Sequence, residues 1–209
     1  MAQAVAGVDE DTPTGAATHS VRPLVVVLVA AATWYGAFIW RMSWVVDGRR
    51  RFTLFDDAMI SMTYARTLAD GQGLVWYPGA PRVEGFTNPL WVGLMAALHA
   101  LGLDGSTISL AVSVLGAVLC LASALLAVRI LRRLTTTSPG LEAAVAGLVA
   151  FSYPLVYWSL RGMEVGLVTA LTLAAVLLAL AGDDGAEGRS RRSNRAWRTH
   201  STYSSAVLA

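Results

Sequence analysis

Residues 108–128 read ISLAVSVLGAVLCLASALLAV, with Arg129, Arg132 and Arg133 directly behind them. A helix over this run rises about 31 Å, enough to cross the roughly 30 Å hydrocarbon core of a bilayer. It contains no charge, and its only polar side chains are Ser109, Ser113, Ser123 and the thiol of Cys120. The arginines that follow mark the cytoplasmic end of a span, because basic residues concentrate on that side. The fold class that this run predicts is all-α, a polytopic transmembrane helical bundle.

Working outward, three more apolar runs qualify as spans. The first, Pro23 to Trp40, extends through Trp44 to Val46 and has Trp34, Trp40 and Trp44 toward its far end, where aromatic rings favour the membrane interface. It lacks the basic leader and small-residue cleavage site of a signal peptide. The others are 141–160 and 165–181, the former carrying Ser152-Tyr153-Pro154, a signal for a kink. Pro89 to Leu103 is too short to cross comfortably and reads either as a snug span or as an interfacial helix.

The arginines choose between these. If 89–103 stays on one side, four spans at about 23–46, 108–128, 141–160 and 165–181 place Arg129–Arg133 in the cytoplasm, and the loop 47–107 and the hinge Arg161-Gly162-Met163-Glu164 outside. Arg41, Arg49, Arg50, Arg51, Arg66 and Arg82 argue against an outer location for the first loop. The four-span arrangement is the one adopted. Within that loop, Phe55 to Asp70 predicts an amphipathic helix with Ile60, Tyr64 and Leu68 on one stripe and Gly71 as its stop. Residues 1–22 predict a disordered cytoplasmic tail. Residues 182–209, rich in Arg, Ser and Gly, predict a disordered linker or the product of a frameshift or truncation.

Composition agrees with a membrane protein: 55% of residues are hydrophobic, only 14% are charged, and the net charge of +2 gives no support to nucleic-acid binding. All sixteen basic residues are arginine, which we read as coding bias. Cys120 is alone and inside an apolar run, so it reads as a packed thiol. His19, His99 and His200 are scattered, without metal-site spacing.

Chemistry concentrates in the loop and the hinge. Asp56 and Asp57 open the predicted loop helix, where first-turn carboxylates stabilise the helix end. Adjacent helical residues point about 100° apart, so the two acids suit divided roles, one as a general base and the other holding a metal, an arginine or the fold. Arg82, Thr87 and Asn88 offer donors for phosphate oxygens or sugar hydroxyls. Trp76, Tyr77, Phe86 and Trp91 suit stacking on a sugar ring or anchoring at headgroups, with anchoring preferred for Trp91. Glu164 stands at a span boundary, with Arg161 as an available neutralising partner. His99 reads as a packed, hydrogen-bonded histidine.

The order of a first span, FDDAMISMTYARTLADGQGLVWYPG (55–79), RVEGFTNPLW (82–91) and RGMEVGL (161–167) resembles the GT-C-type glycosyltransferases, multi-span enzymes that use polyprenyl-phosphate sugars. The nearest group is the mycobacterial terminal arabinofuranosyltransferases. Protein O-mannosyltransferases and lipid A aminoarabinose transferases are more distantly similar. The resemblance covers 23–181, the front of such an enzyme, and the further spans of the family are missing.

The resemblance implies an enzyme of the plasma membrane, with its active face outside, that moves a sugar such as arabinofuranose or mannose from a polyprenyl-phosphate donor to a cell-envelope glycan or protein. It implies a helix lying at the membrane surface before the second span. Asp56 or Asp57 would be the base, Arg82 and Arg66 would balance the lipid phosphate, and Glu164 would bind sugar or support the acid pair. Glu84, Thr87 and Asn88 fall in the same substrate-binding block. A divalent cation, Mg²⁺ or Mn²⁺, is an open cofactor, since arginine can balance the phosphate instead. The expected partners are the lipid-linked donor, a glycan acceptor and membrane lipid. The rivals are a non-enzymatic transport or assembly subunit and an inactive truncated fragment.

Overall fold

A computed structural model of the chain describes residues 21–83 and 85–182. Glu84 and almost all of the two predicted tails lie outside the described residues. Arg22, expected in the first tail, starts a helix, and Gly182 ends one.

The described chain is mostly helical. Its elements are α1 (Arg22–Arg41), β1 (Trp44–Val46), β2 (Arg49–Arg51), α2 (Asp56–Ala69), α3 (Pro89–Ala100), α4 (Gly105–Leu134), α5 (Pro139–Ala150), α6 (Tyr153–Leu160) and α7 (Val165–Gly182). Helices α1, α4 and α7 are each long and apolar enough to cross a membrane, as are α5 and α6 taken together. Exposed apolar side chains on α1 (Val25, Val26, Val29) and α7 (Val168, Leu171, Leu178) have no protein covering them among the described residues, as expected of surfaces that meet lipid.

Three boundaries differ from the sequence reading. The first span does not continue to Val46: α1 stops at Arg41, and β1 pairs antiparallel with β2, Trp44 opposite Arg51 and Val46 opposite Arg49. Asp47 and Gly48 carry the positive φ values, 50° and 69°, of a two-residue hairpin turn, so the fold is not purely α. The span 141–160 is broken by 51° between α5 and α6. The helix restarts with Pro154 in its first turn, where a missing N–H costs nothing. Helix α4 runs on through Leu134, so Arg129, Arg132 and Arg133 belong to its last turns.

Contacts fix the direction of each helix. Tyr35 donates to the Ala150 carbonyl at 2.6 Å and Phe38 packs on Tyr157, so α1 and α5–α6 run the same way. Arg132 meets Glu142 through two hydrogen bonds of 2.7 and 2.6 Å, while Gly116 of α4 lies against the Ser159 carbonyl of α6. Helix α4 therefore runs opposite to both. A side chain at Gly116 would collide with that carbonyl, and glycine allows the two backbones to touch. Glu142 is buried and also accepts a hydrogen bond from the Thr137 hydroxyl at 2.7 Å. The sequence reading missed this closure of the α4–α5 turn.

Two cores share α4. One joins α1, α4, α5 and α6 around Tyr35, Cys120, Ala124 and Ala150, so Cys120 is the packed thiol expected. The second joins α2, α3 and the first turns of α4 around Met62, Tyr64, Trp91, Met95 and Ile108. Helix α2 keeps its predicted limits within a residue, but its buried face is Ala58, Ser61, Met62, Tyr64 and Ala65. Ile60 and Leu68, expected on that face with Tyr64, are exposed, because α3 covers the stripe beside theirs. At twelve residues α3 rises about 18 Å and is too short to cross.

Candidate functional site

The loop 47–88 and the hinge 161–164 meet at one end of the bundle. Sequence separates them by about a hundred residues, and three ties, with a fourth inside the loop, bring them together. The Phe55 N–H donates to the Arg161 carbonyl at 2.9 Å. The Trp91 indole N–H donates to the Gly162 carbonyl at 2.8 Å, with the ring only 1% exposed. The Asn88 amide donates to Glu164 Oε2 at 2.8 Å, and Ser61 Oγ donates to Asn88 Oδ1 at 3.0 Å.

Gly162 makes the convergence possible. Its φ is +95°, and a Cβ there would lie 2.9 Å from both Leu54 methyls and 3.1 Å from Ala58 Cβ. Only glycine supplies both the backbone angle and the clearance. Gly85 has a similar role in the loop, where a Cβ would run into the Tyr64 hydroxyl. Tyr64 packs against Trp76 and Phe86, and Thr67 Oγ1 donates to the Val75 carbonyl at 2.6 Å, so the loop is held down on α2.

These ties border an open cleft of about 890 Å³ whose polar walls are Asp57, Ser61, Thr87, Asn88 and Glu164, with Ile60, Phe86 and Met163 among the apolar ones. Its two carboxylates come from the first turn of α2 and from the hinge. Compared with protein-family models, curated proteins and solved structures, the chain has no match.

Of the residues singled out by sequence, Asp57, Thr87, Asn88 and Glu164 line the cavity. Asp56 is exposed and does not, since the neighbouring position on a helix points about 100° away. Arg66 sits in the last turn of α2, nine residues beyond Asp57, and its nearest acid is Asp104 at 3.9 Å with both side chains exposed. Arg82 is exposed in the loop beside Gly73 and is not among the lining residues. Glu84 lies outside the described residues.

Two expected partners change. Glu164 is held by Asn88 rather than by Arg161, whose Nε is buried with no hydrogen-bond partner among the described residues. Trp91 is a buried tie between loop and hinge rather than a headgroup anchor. Ser61 was not singled out, although its position four residues after Asp57 places it on the same helix face. His99 is partly buried, and its Nε2 finds no hydrogen-bond partner among the described residues. Burial foremost, and then the Arg66 guanidinium, hold its pKa below the ordinary 6.5. Asp104, the Leu103 backbone and Asp70 oppose that shift.

Among the described residues no three His, Cys, Asp or Glu side chains converge as a metal site. The oxygen donors at the cavity are the Asp57 and Glu164 carboxylates and the Ser61 and Thr87 hydroxyls. Asn88 Oδ1 already accepts from Ser61. Such a hard-oxygen set matches Mg²⁺ or Mn²⁺ only if waters or a substrate phosphate complete the shell.

Proposed function

We propose that this chain acts as a membrane glycosyltransferase that moves a sugar from a polyprenyl-phosphate donor to a cell-envelope acceptor at the outer face of the plasma membrane. The observation that carries the reading is the shared cavity. Asp57 and Glu164 arrive from distant segments at one polar chamber, at the end of the bundle where the apolar helices meet the loop. A lipid-linked donor needs such a place, with its chain in the bilayer and its sugar phosphate at the water boundary.

In this reading Asp57 is the general base. It takes the proton from an acceptor hydroxyl, whose oxygen attacks the anomeric carbon as the bond from that carbon to the phosphate oxygen breaks. Polyprenyl phosphate leaves with the electron pair. Glu164, oriented by Asn88, binds sugar hydroxyls, and Thr87 adds a further hydrogen bond. Arg82, on the loop that forms the cavity wall, is assigned to the leaving phosphate. Arg66, at the other end of α2, is not. Asp56, turned away from the cavity, serves the helix end.

What supports outer placement is the far end of the bundle, where Arg129, Arg132 and Arg133 close α4. Arginines closing a span favour the cytoplasm, so the site end is assigned to the outer side, with Arg41, Arg49, Arg50 and Arg51 at that end weighing the other way. The test is sugar transfer by the full chain from a synthetic polyprenyl-phosphate sugar. Asp57→Asn should lower turnover by about 10²–10⁴-fold, as loss of a general base does. Asp56→Asn should stay within about threefold of wild type, a surface change away from the reacting atoms. Full turnover in Asp57→Asn would remove the mechanism.

A further inference from the structure

We propose that the β1–β2 hairpin is a docking surface for the phosphates of anionic phospholipid, lying in the headgroup layer at the site end of the bundle. The inference is independent of the catalytic reading.

The hairpin is pinned between the ends of two membrane-length helices. On one side it follows α1 directly, and the Arg50 guanidinium stacks 3.8 Å over the Trp40 ring while donating to Ser43 Oγ at 2.7 Å. On the other side the Phe52 N–H donates to Ser106 Oγ at 2.7 Å, in the first turn of α4. Since α1 ends and α4 begins where the apolar runs meet water, the hairpin sits at that boundary.

Its pairing register then builds a two-sided ribbon. Residues directly opposite in an antiparallel pair share a face. Val45 and Arg50 share the face on which Arg50 folds back onto α1. Trp44, Val46, Arg49 and Arg51 share the other, and all four are exposed, Trp44 to 67% and Val46 to 51%. Neither Arg49 nor Arg51 has an ion pair or a side-chain hydrogen bond among the described residues. From Arg41 to Arg51 there are four arginines against the single acid Asp47, a net charge of +3.

A face with two apolar anchors and two free guanidiniums fits one kind of partner. Trp44 and Val46 enter the boundary between headgroups and acyl chains, and Arg49 and Arg51 reach the phosphate oxygens, which they bind in pairs. This also accounts for arginines on the side where the positive-inside tendency disfavours them, because lipid phosphates on that leaflet supply their counter-charge.

The test is native mass spectrometry of the full chain released from micelles, titrated with phosphatidylglycerol or phosphatidylcholine. Wild type should retain phosphatidylglycerol preferentially. Arg49→Gln with Arg51→Gln should lower that preference by about ten- to thirtyfold, at about 1 kcal/mol for each basic residue near a charged membrane surface. Arg49→Lys with Arg51→Lys should keep most of it. Wild type alone gives a second arm, in which raising salt from about 0.1 to 1 M should weaken the preference through screening. An unchanged preference in the double glutamine variant, or one insensitive to salt, overturns the proposal. So does displacement of the lipid by millimolar inorganic phosphate, which would make the surface a soluble-phosphate site.

Discussion

Gly162→Ala tests the hinge that joins the two halves of the site. Two costs arise from the geometry. A φ of +95° is disfavoured for any residue with a Cβ, by about 1–2 kcal/mol. The new methyl would also lie 2.9 Å from the Leu54 methyls and 3.1 Å from Ala58 Cβ. Leu54 is only 4% exposed and has little room to retreat, so overpacking adds about 1–3 kcal/mol. The sum of roughly 2–5 kcal/mol should lower the melting midpoint of the purified protein by roughly 5–15 °C at this chain length. Intrinsic tryptophan fluorescence reads the transition in detergent. Leu54→Ala removes two of the three close contacts, so in the double variant the losses should fall short of additivity by about 1–2 kcal/mol. A single variant melting within about 1 °C of wild type would refute the hinge argument. Strict additivity in the cycle would refute its steric half.

Three further outcomes follow from named contacts. Asn88→Ala removes the hydrogen bonds to Ser61 and Glu164 and should cost about 1–2 kcal/mol in thermal stability. Asn88→Asp, which sets a carboxylate against Glu164, should melt lower still, and equal melting of the two variants would contradict the Glu164 contact. For His99, the folded state disfavours the charged imidazole, so its contribution to stability is fully present above the unfolded pKa of about 6.5 and is lost as pH falls through the lowered folded value. Wild type should therefore lose melting temperature between about pH 7 and pH 5 more steeply than His99→Gln, and parallel profiles would contradict the shift.

Much of the scaffold is legible in the sequence because a bilayer imposes simple rules of length and charge. The four apolar runs became helices, the proline at 154 coincides with a break, and α2 starts at the acidic pair and stops before Gly71. The failures are tertiary. Val45-Val46 extends an apolar run in sequence, yet Asp47-Gly48 turns the chain back and makes strands of both flanks. Trp91 resembled an interfacial ring until its indole was seen to donate to the hinge. Arg161 was the nearest cation to Glu164 in sequence, whereas the three-dimensional partner, Asn88, is 76 residues away. Of the candidate site, Asp57, Asn88, Thr87 and Glu164 were chosen by residue chemistry and do share a cavity. Arg66 was separated from it by the length of α2, a distance that sequence order conceals.

The account rests on Asp57 and Glu164 opening to the same water-filled side of one membrane. Single cysteines decide this most directly, introduced as Asp57→Cys, Glu164→Cys or Thr136→Cys in a Cys120→Ser background and treated with a membrane-impermeant maleimide in intact cells. Positions 57 and 164 should both label from outside, and position 136, at the far end of the bundle, only after permeabilisation. Labelling of 57 and 164 from opposite sides would leave no common chamber and would contradict the account.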